Sequence, residues 1–328
     1  MSILVFVEHH GNDFEKGSLG VLSKAASLGD DVAAVLAGGG GTAALASEAG
    51  KFGAATVYVA DDELLDPPLP QPRVDVVQAV IDAGGYDTVL FSNSVLAADV
   101  AAGLAARLDA GLNWDLVDIG WQDGDGDGDR ELIGKRPALQ DSVVVDVGWR
   151  SRPRLALFRV GSFDAASVAA SEPRIEQVHV DFQPHSLRAT IVDQRPQGQA
   201  GPSIEDAEVV IAGGMGLGGP EHFKLAEDLA ASLGGVVGAT RAAVYAGWYP
   251  YSAQVGQTGK TVTPKLYVAL GISGAVQHKV GMQNSKVIVA INTDAAAPIF
   301  EFSDLGVIGD VHTIVPEVIE LLRQRGTG

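Results

Sequence analysis

The chain has 328 residues, 46% hydrophobic and 20% charged, which is enough apolar material for a sizeable core and the length of two ordinary domains. Its formal charge of −18 opposes phosphate backbones and anionic lipid, so neither nucleic-acid binding nor membrane insertion is expected. The absence of cysteine excludes disulfides, thiolate nucleophiles and Cys-ligated zinc or iron–sulfur clusters.

No basic stretch precedes the apolar run Ile3–Val7, which therefore reads as a first strand and not as a signal peptide. No apolar run approaches the roughly 18 residues of a membrane span. A cytoplasmic protein is the expectation. The acidic balance suits a high-salt host and an ordinary acidic protein equally well.

In chain order, Ile3–Val7, Val32–Leu36, Thr56–Val59 and Thr88–Phe91 are short, β-rich and almost uniformly apolar, as strands buried on both faces of a parallel sheet are. Between them lie segments of helical period. Val74, Val77, Val80 and Ile81 share one face, and so do Ala97, Ala101, Leu104, Ala105 and Leu108. Strand–helix–strand alternation predicts an N-terminal doubly wound α/β sheet.

From Leu116 to Val192 the pattern changes. Leu116–Trp121, Val143–Val147, Leu155–Arg159, Gln177–Phe182 and Leu187–Val192 read as strands without helices between most of them, hence as antiparallel additions. The polar, Pro- and Gly-rich stretch that follows is the expected linker. The division is residues 1–193, a linker over 194–203, and a second domain over 204–328. There α/β alternation resumes: strand Glu208–Ala212, a helix carrying Leu225, Leu229 and Leu233, strands Leu266–Leu270 and Val287–Ile291, and a closing helix from about Pro316. The fold class is therefore α/β, with a second doubly wound parallel sheet after the first.

Asp123, Asp125 and Asp127 imitate the start of a calcium loop with Gly128 in sixth place, but the twelfth place, where a bidentate Glu is required, is Gly134. A solvated hairpin turn is the better reading. Gly214, Gly216 and Gly219 have the G-x-G-x-x-G spacing between a strand and a helix, where a backbone can approach a pyrophosphate. A ribose-binding acid should end the next strand, yet that strand ends in Thr240-Arg241, so a tight turn without a ligand also remains open.

The chemistry is densest between Thr240 and His278. Thr240-Arg241 ends a strand, Gln254–Lys260 is a Gly-spaced polar loop, and Gly271–His278 follows a strand and starts a helix with Ser273 as its N-cap. Three such loops at the carboxyl ends of strands build the crevice where doubly wound sheets hold nucleotides.

These same segments, with Val289–Asn292, Ala297–Phe300 and Gly309-Asp310, closely resemble the signature of the electron transfer flavoprotein alpha subunit, almost continuously from Val209 to Glu317. The N-terminal part resembles it more loosely, through Val160–Ala166. The resemblance implies FAD in the second domain and a carrier of single electrons, not a substrate-transforming enzyme. It also implies a heterodimer with the family's beta subunit. Flavin dehydrogenases such as acyl-CoA dehydrogenases of fatty acid β-oxidation would be donors and a membrane quinone oxidoreductase the acceptor.

The implied cofactor residues are Thr240, Arg241, Val255, Gly256, Gln257, Thr258, Ser273, Gly274, Ala275, Val276, Gln277, His278, Asn292, Asp310 and Val311. Arg241 is implied beside the flavin ring, Thr258 at N5 and His278 at the C2 carbonyl. The Ser273–Ala275 backbone is implied at the pyrophosphate, and Asn292 and Asp310 towards the adenosine. Two departures remove positive charge: Met215 where the family commonly has Arg, and Thr293 where it has Lys.

Three other readings are compatible with the residues. One is an electron-bifurcating member of the same family, another a nicotinamide-dependent dehydrogenase, and the third an AMP- or ATP-binding module.

Overall fold

The computed structural model describes residues 2–29, 31–123, 130–139, 141–168, 172–193, 203–205 and 207–326. Two compact units divide the chain, Met1–Gln194 and Arg195–Gly328. Most of the expected linker and the Asp/Gly turn, 194–202 and 124–129, lie outside the described residues. Among those described, no helix is long and apolar enough to cross a membrane.

The first unit is a seven-stranded sheet built from β1 (Ile3–Phe6), β2 (Val32–Gly38), β3 (Thr56–Asp61), β4 (Thr88–Ser92), β5 (Leu112–Leu116), β9 (Arg154–Phe158) and β10 (Arg174–Gln177). Its order is β10-β3-β2-β1-β4-β9-β5 and every pairing is parallel. Helices α1 (Lys16–Ala26), α2 (Ala46–Gly50), α3 (Pro70–Gly84) and α4 (Val95–Leu108) supply the crossovers. Both faces are buried: Ile3, Val5 and Leu36 pack into one core, and Leu4, Phe6 and Val35 into the other with Val74, Val77 and Leu104. This is the α/β class that uniformly apolar strands require.

The antiparallel additions reduce to one three-stranded sheet, β8-β7-β6, from β6 (Asp118–Asp123), β7 (Arg130–Ala138) and β8 (Val143–Val147). Four expectations for this region need correction. Leu155–Arg159 is not an antiparallel addition; as β9 it is inserted between β4 and β5 in the parallel sheet, which is why Leu155, Ala156 and Phe158 are fully buried.

The expected strand Leu116–Trp121 divides into β5 and β6. Asp115 has φ of 61°, which shifts the register against β9, and its carboxylate accepts from Arg159 at 2.8 and 2.9 Å. Gln177–Phe182 continues past β10 as an extended strap. Val178, Val180 and Phe182 alternate onto the core beneath α3, and the strap ends where Gln183 N–H donates to buried Asp75 at 2.9 Å. Leu187–Val192 forms no strand; its apolar residues are exposed, Val192 almost completely.

The second unit holds β11 (Val209–Gly213), β12 (Val236–Thr240), β13 (Gln254–Val255), β14 (Leu266–Leu270), β15 (Ile288–Asn292) and β16 (Leu305–Ile308). All pairings are parallel, in the order β13-β12-β11-β14-β15-β16. Winding runs one way from β11 and the other way from β14, so the direction reverses between these two strands. Residues alternate strictly: Ile211, Val268 and Leu270 face α5 (Phe223–Leu233) and α8 (Val311–Gly326), while Val210, Tyr267 and Ala269 face Met282 and Ile299.

Helix α8 starts five residues before Pro316, because Asp310 Oδ1 accepts from the His312 N–H at 2.9 Å and fixes the first turn there. Pro316 is an interior residue.

At the reversal, the turn after β11 and the turn after β14 touch backbone to backbone. A Cβ on Gly271 would lie 2.7 Å from Gly216 Cα, and its φ of 61° is itself unfavourable for other residues. Gly271→Ala is therefore expected to destabilise the second unit by about 2 kcal/mol or more. Urea denaturation followed by circular dichroism measures it, and an unchanged midpoint would refute the close approach.

Candidate functional site

The carboxyl ends of β12, β13, β14 and β15 and the turn after β11 surround a cleft of about 690 Å³. That lies within the range of small-molecule sites, at the position the sheet reversal predicts. Arg241 opens the short helix α6 (Arg241–Tyr245), for which Thr240 is the N-cap through Ala243 N–H at 3.4 Å. Both residues line the cleft. Arg241 forms no ion pair among the described residues; its guanidinium lies 4.8 Å from the centre of the Tyr245 ring. An aromatic face orients a cation without neutralising it.

The loop after β13 brings Gly256, Gln257 and Thr258 to the cleft beside Val255. It is pinned by Lys260 N–H on the Gln254 carbonyl at 2.7 Å and by Gln257 N–H on the Gln277 carbonyl at 2.7 Å. Gln254 Nε2 donates to Thr258 Oγ1 at 3.2 Å, which leaves the hydroxyl proton of Thr258 for another acceptor.

After β14, Ser273, Gly274 and Ala275 form the third wall, and their backbone N–H groups donate to no backbone carbonyl. Ser273 is not the N-cap: α7 (Val276–Lys279) is capped by Ala275, and the Ser273 carbonyl instead accepts from Ile299 N–H at 2.9 Å.

Gln277 and His278 line the cleft from α7. His278 is buried, and both its ring nitrogens are engaged. Nδ1 faces the Val255 carbonyl at 3.1 Å and Nε2 faces the Tyr267 hydroxyl at 2.9 Å. A carbonyl only accepts, so Nδ1 carries the proton and Nε2 accepts from Tyr267. Desolvation pushes the His278 pKa down to about 4, so the ring is neutral near pH 7. The resemblance implies this ring at the flavin C2 carbonyl; here both of its nitrogens are bonded within the chain.

Asn292 lines the cleft but is occupied structurally, donating to the Ile272 carbonyl and accepting from Asp294 N–H, each at 2.9 Å. The remaining three expected residues do not line it. Val276 points outward and is half exposed, Asp310 caps α8, and Val311 is buried in the core beneath it.

The cleft also includes Met215 and Gly216, Tyr245, Gly271-Ile272, Asp294 and Ala297-Pro298, none of which stood among the expected site residues. The i, i+4 spacing of Arg241 and Tyr245 on a helix could have revealed one of them.

A doubly wound unit with a cleft at its reversal point has the architecture in which α/β proteins commonly hold their ligands. The family is narrower. Residues 203–283 match the electron transfer flavoprotein FAD-binding domain, and residues 3–183 match the electron transfer flavoprotein domain. The chain is 39% identical over 323 residues to a protein of Mycobacterium tuberculosis and 37% identical over 325 residues to one of Mycobacterium leprae. In both, 98% of each chain is covered, and both are named electron transfer flavoprotein subunit alpha. A mitochondrial subunit alpha from rice is 36% identical over 334 residues, covering 98% of this chain and 90% of its own. The chain belongs to the electron transfer flavoprotein alpha-subunit family.

The buried, neutral His278 has a consequence for stability. The unfolded chain binds a proton near pH 6.5 that the folded chain takes up only near 4, so stability is present above 6.5 and is lost as the pH falls through this window. Between pH 7 and pH 5 the loss from this residue is about 2 kcal/mol. Urea titrations at the two pH values should show it, and His278→Gln should flatten the decline.

Proposed function

We propose that this chain carries FAD in the cleft of its second unit and works as a single-electron carrier. In this reading it takes electrons from flavin dehydrogenases such as acyl-CoA dehydrogenases and passes them towards a quinone oxidoreductase, as a heterodimer with the family's beta subunit. The observation that carries the reading is the composition of the cleft at the sheet reversal. It contains one permanent cation outside any described ion pair, Arg241, and a turn at Ser273–Ala275 whose backbone N–H groups donate to no backbone carbonyl among the described residues. These suit a ligand with a delocalised ring at one end and a pyrophosphate at the other.

FAD, when bound, supplies a ring that accepts electrons one at a time. Arg241 would favour the negative charge that an added electron brings, Thr258 would donate its hydroxyl, and the apolar wall of Val255 and Ile272 would exclude water. The Ser273–Ala275 backbone would hold phosphate oxygens. Met215 puts a thioether where a cation would assist the phosphates, so Met215→Arg should tighten FAD binding, read as a lower dissociation constant in fluorescence titration.

A yellow preparation whose extracted chromophore is FAD, in stoichiometric amount, supports the reading. A colourless, flavin-free complex with the beta subunit overturns it. Arg241→Ala should keep the flavin and lower the first-electron potential by about 60 mV or more, measured by spectroelectrochemical titration. An unchanged potential would remove Arg241 from the ring.

A further inference from the structure

Gln254, on β13, is only 1% exposed, and its side-chain amide is half used. Nε2 donates to Thr258 Oγ1 at 3.2 Å, while Oε1 is buried without a hydrogen-bond partner among the described residues. Thr258 is exposed and lines the cleft, whereas Gln254 does not. The amide therefore reaches the contents of the cleft only through the Thr258 hydroxyl.

The backbone between the two residues is fixed. Lys260 N–H donates to the Gln254 carbonyl at 2.7 Å, Gly259 N–H to the Gly256 carbonyl at 2.9 Å, and the Tyr251 hydroxyl to the Thr258 carbonyl at 3.0 Å. A Cβ on Gly259 would lie 2.3 Å from the Gln254 carbonyl oxygen, so the loop is packed against that residue. The two side chains stay within reach of each other whichever end of the amide faces the hydroxyl.

We propose that Gln254 is a positioning residue that forms a reversible hydrogen-bond relay with Thr258, in which the orientation of the amide decides whether the hydroxyl offers the cleft a proton or a lone pair. This deepens the flavin reading and rests on it.

The two ends of a glutamine amide are alike in shape and opposite in polarity. With Nε2 towards Thr258, the amide fills a lone pair of Oγ1 and the hydroxyl proton turns to the cleft. After half a turn, Oε1 accepts the hydroxyl proton and a lone pair of Oγ1 is left for a donor in the cleft. Each orientation keeps one bond between the pair and leaves one end of the amide unpartnered, so the protein itself favours neither strongly. A hydrogen bond from the cleft then decides between them. No proton is transferred: that of Thr258 stays on Oγ1 and only its direction reverses. A carboxylate in place of the amide would hold the hydroxyl proton permanently, and an ammonium would turn it away permanently. The reversible amide suits flavin chemistry, in which ring nitrogens that accept hydrogen bonds when oxidised carry hydrogen when fully reduced.

The test uses the full chain in its purified complex with its bound flavin. Infrared difference spectra between the fully reduced and oxidised protein, with the glutamine side-chain carbonyls labelled with carbon-13, read the amide directly. On reduction the Gln254 carbonyl should gain a hydrogen bond, and its band should move to lower frequency. Thr258→Val, which removes the hydroxyl from an exposed position, should abolish the movement, and Thr258→Ser should keep it. Gln254→Met should remove the band, which assigns it against Gln257 and Gln277 of the cleft lining.

With flavin bound, three results overturn the relay and leave the flavin reading intact: no downward movement of a glutamine carbonyl in the wild type, a movement unchanged in Thr258→Val, or one unchanged in Gln254→Met. The wild type and the Thr258 variants decide the matter even where Gln254→Met does not fold. A complex that binds no flavin defeats the flavin reading, and the relay falls with it.

Discussion

In the second unit everything at the site depends on how closely two backbones approach. The turns after β11 and β14 meet at Gly216 and Gly271, where Gly216 N–H donates to the Gly271 carbonyl at 2.9 Å and a Cβ on either residue would collide with the other turn. This contact closes the bottom of the crevice at the one place where the winding changes direction. The walls are then what the neighbouring strands deliver at their carboxyl ends: Thr240-Arg241 from β12, the 255–258 loop after β13, Ser273–Ala275 after β14 and Asn292 from β15. A side chain at either glycine would push the turns apart and move each wall relative to the others.

The cleft lining carries one guanidinium, Arg241, and one carboxylate, Asp294. A protein with a formal charge of −18 places an unneutralised guanidinium at this site, and orients it with the Tyr245 ring where an acidic partner could have stood. A carboxylate would have held Arg241 equally well and would have cancelled its field. Beside it the potential second cation, His278, is kept neutral by burial and by two hydrogen bonds. Arg241 is thus the cleft's one permanent cation, in no ion pair among the described residues.

How much of this was legible in the sequence follows from which interactions are local. The parallel strands of both units could be read because burial on two faces leaves uniformly apolar runs, and the loops at Arg241, Thr258 and Ser273–Ala275 because their residue types are unusual where they stand. The errors came where a local pattern serves a distant partner. Leu155–Arg159 looks like any apolar strand, and nothing in it states that it is inserted between β4 and β5. Val178, Val180 and Phe182 alternate like a strand, yet after Val178 N–H donates to the Val59 carbonyl at 2.8 Å the segment leaves the sheet, packs its side chains on the core and ends at Asp75. The contact between Tyr267 and His278 could not be read for the same reason, since it exists only when α7 places that ring over the strand. Asp310 and Val311 also have roles a signature does not state: the first starts a helix and the second fills the core beneath it.

The two units have related topologies, and the strand ends at their reversals differ by a buried carboxyl group. The first unit also reverses its winding, between β1 and β4, with helix α4 following β4; its glycine-rich turn, Gly38–Gly41, follows the neighbouring strand β2. Its position for an anion is taken by the protein itself. Glu8, at the end of β1, is buried, and its carboxylate accepts from the hydroxyl of Ser94, the residue that caps α4. The strand end is thereby filled by a buried carboxyl group that already holds the capping hydroxyl of α4. In the second unit the equivalent strand end, after β11, continues as Gly214-Met215-Gly216, with no carboxylate, and the crevice stays open to Arg241. The same geometric reversal thus becomes structural in one half of the chain and available for ligand in the other.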